Sequence, residues 1–168
     1  MEKEISEYKK SIWREVFLFW LIAGIILFLD QFSKHFIMTH IGYSDQVVII
    51  PDFFNIVHAR NTGGAFGILA SAGTWKHLFF QIISIAAIIG LFYFYISSKN
   101  RTKLFLLGSA LIAGGAMGNL TDRIRFRAVT DFLDFHIGAY HWPAFNVADS
   151  AITIGALLLM IQFFRMNP

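Results

Sequence analysis

The sequence predicts an all-α membrane protein, four transmembrane helices with a small extracytoplasmic β cradle in the first long loop, and three observations lead there. Hydrophobic residues make up 56% of the chain and charged residues only 15%, with a mean hydropathy of +0.57, where a soluble domain is about a quarter charged. Four apolar stretches approach or exceed the length needed to cross a hydrocarbon core about 30 Å thick. Every Asp falls at one end of those stretches or in the two long connections that share that side. This composition excludes a disordered chain and speaks against an ordinary water-soluble domain. The 168 residues are read as a single domain.

Span one covers 13–38 and is uninterrupted from 16 to 29 before it meets Asp30 and Gln31. It is too long for a cleavable leader and has no small-residue cleavage site, so it is expected to be retained. The outer loop 39–74 follows. Its runs 46–50 and 53–57 are rich in β-formers and are separated by Pro51-Asp52, which predicts a small sheet lying at the membrane surface. The stretch 59–67 reads as a flexible Gly-rich turn that approaches a bound peptide backbone or simply leads into the next span. Span two, 75–96, is broken only by Lys76, His77, Gln81 and Ser84, and a short connection with Lys99, Arg101 and Lys103 leads to span three at 102–120. The small residues Gly114, Gly115, Ala116 and Gly118 near its end predict close helix packing. After the outer loop 121–146, span four runs over 147–165.

Charge sets the expected orientation. Lys3, Lys9, Lys10, Arg14, the short connection and Arg165 put eight cations on one side. Their density in the tail and the short connection places both termini in the cytoplasm. The net charge of +3 therefore reflects topology rather than a nucleic-acid partner. With no cysteine, disulfides, thiol catalysis and Cys-ligated metals are excluded.

The acidic residues point to a site. Asp30 lies roughly 22 Å above the start of span one, while Asn119 and Asp149 sit at the outer ends of spans three and four. Four-span topology brings them to one level, where an idle carboxylate is expensive. Asp30 and Lys34 are an i,i+4 pair. They either ease each other's insertion, or Lys34 reaches outward while Asp30 orients the site. Asn146 opens span four as an N-cap with Asp149 in the first turn, both satisfying free amides; Asp149 is also a candidate for chemistry. Asp131 by itself is an ordinary loop acid, and beside Asp149 it completes a pair. Two carboxylates in a small dry site do not ionise together easily, so one keeps its proton and polarises a carbonyl while the other takes a proton from water. Peptide hydrolysis needs that division of labour.

Other chemistries fare badly. The chain has no His-Glu-x-x-His, no Gly-x-Ser-x-Gly and no Walker-type loop, and of its six His only His136 and His141 lie near the carboxylates. No metal site is expected. A small transporter with Asp30 and Asp149 as a proton relay is the rival from another class, but the acids gather at one face instead of crossing the bilayer.

Five blocks in order carry a resemblance: Asp30-Gln31-x-Ser33-Lys34, Asn61-Thr62-Gly63-x-Ala65-Phe66, Gly118-Asn119-x-x-Asp122-Arg123, Val129-x-Asp131-Phe132 and Pro143-x-Phe145-Asn146-x-Ala148-Asp149-Ser150. Together they resemble the lipoprotein signal peptidases of bacteria, also called signal peptidase II. The resemblance implies an aspartyl endopeptidase of the bacterial cytoplasmic membrane, acting near the extracytoplasmic face. It would remove signal peptides from prolipoproteins whose cysteine already carries diacylglycerol, cutting just before that cysteine. It implies Asp131 and Asp149 as the catalytic pair and Asn61, Asn119, Arg123 and Asn146 at the substrate or inhibitor site. Asp30, Lys34 and Asp122 become supporting polar groups. It further implies no cofactor or metal, partners among lipidated prolipoproteins and membrane lipid, inhibition by the cyclic peptide globomycin, and a cradle of strands outside the cytoplasm. Spacing alone also allows Asp122 to pair with Asp149. The resemblance favours Asp131, and Arg123 beside Asp122 would hold that carboxylate ionised. Gly64 stands where many relatives have Ala, with little expected effect.

Overall fold

The computed structural model describes residues 2–63, 75–98 and 101–166. Within them the order is α1 (Glu2–His40), β1 (Gln46–Ile50), β2 (Phe54–Asn61), α2 (Trp75–Ser97), α3 (Lys103–Phe126), β3 (Val129–Ile137), β4 (Tyr140–His141) and α4 (Val147–Met166). All four helices are long and apolar enough to cross a membrane. The residues from Gly64 to Gly67, and Lys99 of the short connection, lie outside the described residues.

Helix α3 occupies the centre and packs against α1, α2 and α4. Of its most apolar window 56% is buried, against 11%, 6% and 22% for α1, α2 and α4, so those three turn most of their apolar surface outward. Glycines make the central position possible. A methyl on Gly114 would meet the Ala23 carbonyl of α1 at 2.7 Å, and one on Gly155 would meet the Gly108 carbonyl at 2.6 Å. A methyl on Gly115 would collide with the Ala148 carbonyl of α4. At the opposite end from the sheet, Thr102 caps α3 by accepting from the Phe105 amide at 3.1 Å. There Arg101 Nε also donates to Glu15 of α1 at 2.7 Å.

Three boundaries differ from those read in the sequence, the first being α1, which begins at Glu2 where the span was read from residue 13. Helix α3 continues past 120 to Phe126, because its extra turns are supported: Thr121 Oγ1 donates to the Met117 carbonyl at 2.8 Å, and Asp122 finds buried partners on α1. The stretch from Ala59 to Asn61 is the end of β2, not a turn. The sheet also draws on both long loops rather than the first alone. Its order is β1-β2-β3-β4, antiparallel throughout, and β3 and β4 come from 121–146.

This sheet joins the two halves of the site. Asn61 is opposite Val129 and Ala59 opposite Asp131, so the Asn61 amide reaches diagonally to Asp131. After the β3–β4 hairpin the chain returns along β3, where Phe145 exchanges backbone hydrogen bonds with Leu133 at 2.8 and 3.1 Å. It then enters α4 at Val147, bringing Asp149 beside the strand that carries Asp131. Stacked Phe54, Phe135 and Phe145 back this return, with centroids 4.6 and 5.9 Å apart.

Candidate active site

Lys34 sits at the base of the site with no exposed surface, and its ammonium has three donors and no acceptor. Nζ lies 2.8 Å from Asp30 Oδ2, 3.2 Å from Asp122 Oδ2 and 3.0 Å from Asn119 Oδ1, which uses all three. Lys34 thus turns inward, against the outward reach read from the sequence. The reason is that Asp122, the cation's second carboxylate, is buried on α3 facing α1. Asp122 accordingly pairs with Lys34 rather than with its neighbour Arg123.

Asp30 and Gln31 tie this base to the rest. The free Asp30 oxygen, Oδ1, accepts from the Ala148 amide in the first turn of α4 at 2.9 Å, so a carboxylate on α1 completes the start of α4. Gln31 Nε2 lies 3.1 Å from Asp30 Oδ2, 2.9 Å from Asp122 Oδ1 and 3.2 Å from the Gly118 carbonyl. The Thr130 amide donates to Asp122 Oδ2 at 3.0 Å, which pins the start of β3 to α3. Both Asp30 oxygens are thus engaged, and the side chain is wholly buried.

Three asparagines stand between this base and two aspartates. Asn119 Nδ2 donates to Asp149 Oδ1 at 2.8 Å. Asn146 uses both ends of its amide: Oδ1 caps α4 by accepting from the Asp149 amide at 2.9 Å, and Nδ2 donates to Asp131 Oδ1 at 2.7 Å. Asn146 is therefore the N-cap read from the sequence and, in addition, a donor to Asp131. Asn61 Oδ1 accepts from the Gly63 amide at 3.0 Å, turning its Nδ2 toward Asp131 Oδ2 at 3.2 Å.

Asp131 and Asp149 line one cavity of about 510 Å³, together with Asn61, Asn119 and Arg123. Val129, Phe145 and Ile154 give it apolar wall, and Arg123 lies over the Phe80 ring at 4.9 Å. Asn146 does not reach this wall; it is wholly buried behind Asp131. Asp131 is 3% exposed, whereas Asp149 is half-buried. Burial and then the charge of Asp149 raise the Asp131 pKa to about 7, against the opposing pull of the Asn61 and Asn146 amides and of Lys34. A carboxyl with that value holds or yields a proton near neutrality, as general acid–base chemistry requires.

The structure thus brings every sequence-selected residue into one connected set: Asp131 and Asp149 in the cavity, Asn61, Asn119 and Arg123 on its wall, Asn146, Asp30, Lys34 and Asp122 behind. Gln31 was not singled out, although a lone amide beside a buried acid in an apolar helix marks it. The backbone donors of Thr130 and Ala148 carry no side-chain signal at all. His136 and His141 belong elsewhere, stacked on each other at 4.5 Å with His141 hydrogen-bonded to Asp134 at 2.9 Å. Among the described residues no three His, Asp or Glu converge as metal ligands.

Residues 22–165 match the family described as Signal peptidase (SPase) II. A lipoprotein signal peptidase of Syntrophus aciditrophicus is 46% identical over 155 residues, covering 90% of this chain and 95% of that protein. One from Oleidesulfovibrio alaskensis is 43% identical over 150 residues, covering 89% and 96%. A solved bacterial membrane enzyme superposes with a TM-score of 0.80 at 37% identity, covering 89% of this chain and 88% of that one.

Proposed function

Since the chain belongs to the signal peptidase II family, we propose that it is an aspartyl endopeptidase that removes the signal peptides of diacylglyceryl-modified prolipoproteins, with Asp131 and Asp149 as its catalytic pair. The observation that carries this reading is the pairing of two carboxylates on one cavity, one of them poised near neutrality. One carboxylate takes a proton from a water molecule as the water oxygen bonds to the scissile carbonyl carbon. The carbonyl π electrons move to oxygen, which takes the proton of the other carboxyl. In the reverse relay the amide nitrogen gains a proton, the C–N bond breaks, and the new acid and amine separate.

Arg123 and Asn61 on the wall are suited to hold the peptide, and the exposed apolar surface of α1, α2 and α4 is suited to lipid, where the substrate's acyl chains would stay. With both termini cytoplasmic, as the cation distribution favours, the site and sheet would stand at the extracytoplasmic side. A cyclic peptide of the globomycin type would compete for the same cavity.

The test is a gel-shift cleavage assay on a diacylglyceryl-modified prolipoprotein in detergent, with EDTA present throughout. Wild type is expected to cut, Asp131→Asn and Asp149→Asn to lose at least a thousandfold, and Asp122→Asn to retain measurable cleavage. A dead but folded Asp122→Asn beside an active Asp131→Asn would make Asp122 the partner. No cleavage by folded wild type would end the peptidase reading.

A further inference from the structure

We infer that Lys34 is a positioning residue which, through Asn119, holds Asp149 as the ionised base and leaves Asp131 as the acid. The inference rests on the proposed peptidase reading and deepens it by giving each carboxyl its role.

The argument begins with donors. An ammonium only donates, so the Asn119 atom 3.0 Å from Lys34 Nζ must be its oxygen, and its NH2 must face the other way. That other way is Asp149, 2.8 Å distant. The amide is thereby polarised by a buried cation on one side and aimed at one carboxylate on the other. A charge-assisted donor of this kind favours an anion at Asp149. If the amide turned over, its oxygen would face Asp149 and favour the protonated form instead. Lys34 opposes that turn, with Asn146 Nδ2 adding a longer contact of 3.3 Å to the same oxygen.

The opposite assignment has a case of its own. Among the described residues two neutral amides, of Asn61 and Asn146, reach Asp131 and one reaches Asp149. By donor count alone the anion would settle on Asp131. Lys34 also pulls on Asp131 through space, so its charge alone does not choose between the two. The choice is reversed by the depth of Asp131, by Arg123, for which Asp149 is the leading charged partner, and by the Asn119 amide that Lys34 aims. Removing Lys34 frees that amide to turn its oxygen toward Asp149, where it favours the protonated form, and the pair then idles in the wrong microstate. The charged groups around Asp149 from the elements packed on α4 are Asp131 on β3, Arg123 and Asp122 on α3, and Asp30 and Lys34 on α1. Of these Arg123 acts on it directly, and Lys34 through an oriented amide.

The experiment measures kcat and KM for the lipidated prolipoprotein from pH 4 to 9. Lys34→Met alone would strand two buried carboxylates, so it is combined with Asp30→Asn, which keeps the net charge of the cluster and an oxygen for the Ala148 amide. The expected result is a KM within about twofold of wild type and an acidic limb of the kcat profile moved up by about one pH unit, so that kcat falls about tenfold at pH values below that limb and little above it. Asn119→Ala keeps every charged residue, although it takes one acceptor from Lys34, and should move the same limb as far. A limb at its wild-type position in either folded variant would overturn the assignment. Should the double variant fail to fold, Asn119→Ala decides alone. Absence of cleavage by wild type would instead strike the peptidase reading.

Discussion

Asp131 and Asp134 stand three residues apart on β3, hence on opposite faces, and their pKa values move in opposite directions. Burial pushes both up. For Asp134 the hydrogen bonds from His141 and Asn55 outweigh it, and the carboxyl ends below its ordinary value. For Asp131 burial and the charge of Asp149 prevail, to about 7. The linkage follows by sign. Between about pH 4 and 7 the native state keeps a proton that the unfolded chain has released, so Asp131 makes the fold less stable as pH rises through that window. Asp131→Asn is therefore expected to melt above wild type at pH 8, by on the order of a few kcal/mol less about 1 for a weakened acceptor, and to converge with it near pH 4. Thermal melts in detergent at the two pH values check this. Asp134 acts the other way, its contribution being lost as pH falls through its lowered value. In the proposed reaction the acid is spent once Asp131 ionises, so cleavage should decline as pH rises beyond about 7, read from the alkaline limb of kcat.

At the scale of elements, glycine-lined contacts decide how closely α3 and α4 approach, and so how far Asn119 stands from Asp149. A side chain at Gly115 must push the Ala148 carbonyl away, and one at Gly155 the Gly108 carbonyl. Gly155→Leu is expected to cost about 1–3 kcal/mol by overpacking. Gly115→Leu should lose cleavage as well, since Ala148 lies one residue from Asp149. Melting temperature measured beside activity separates the two effects. Helix packing of this kind was legible in the small-residue run from Gly114 to Gly118, and the four helices were legible from hydropathy. Strand β3 was not. Yet its odd positions, Val129, Leu133, Phe135 and Ile137, are apolar with Asp131 among them. A carboxylate interrupting an apolar strand face was the available signal, obscured because the whole of 121–146 read as loop. The inward turn of Lys34 was illegible for a different reason: only tertiary contact reveals that Asp122 lies behind it.

For the whole molecule, the proposed orientation is open to direct measurement because the chain holds no cysteine. Tyr140, 75% exposed at the sheet end, and Lys103, exposed at the far end of α3, are suitable for single Tyr140→Cys and Lys103→Cys labelling. In intact spheroplasts a membrane-impermeant maleimide should modify the first at once and the second only after permeabilisation; the reverse order would invert the topology. The buried cluster around Lys34 bears finally on how such a protein is made. A ribosome delivers α1 first, when neither Asp122 nor the Ala148 amide exists. A lone Asp or Lys at a helix centre costs about 2.5–3.5 kcal/mol on insertion scales. Asp30 and Lys34, 2.8 Å apart and one turn from each other, can enter lipid as a neutral couple. The newborn helix thus carries its own counterion and keeps it, Lys34 gaining Asp122 when α3 arrives and Asp30 the Ala148 amide when α4 does. Because Asp149 comes with α4, the proposed catalytic pair is incomplete until that helix has been made.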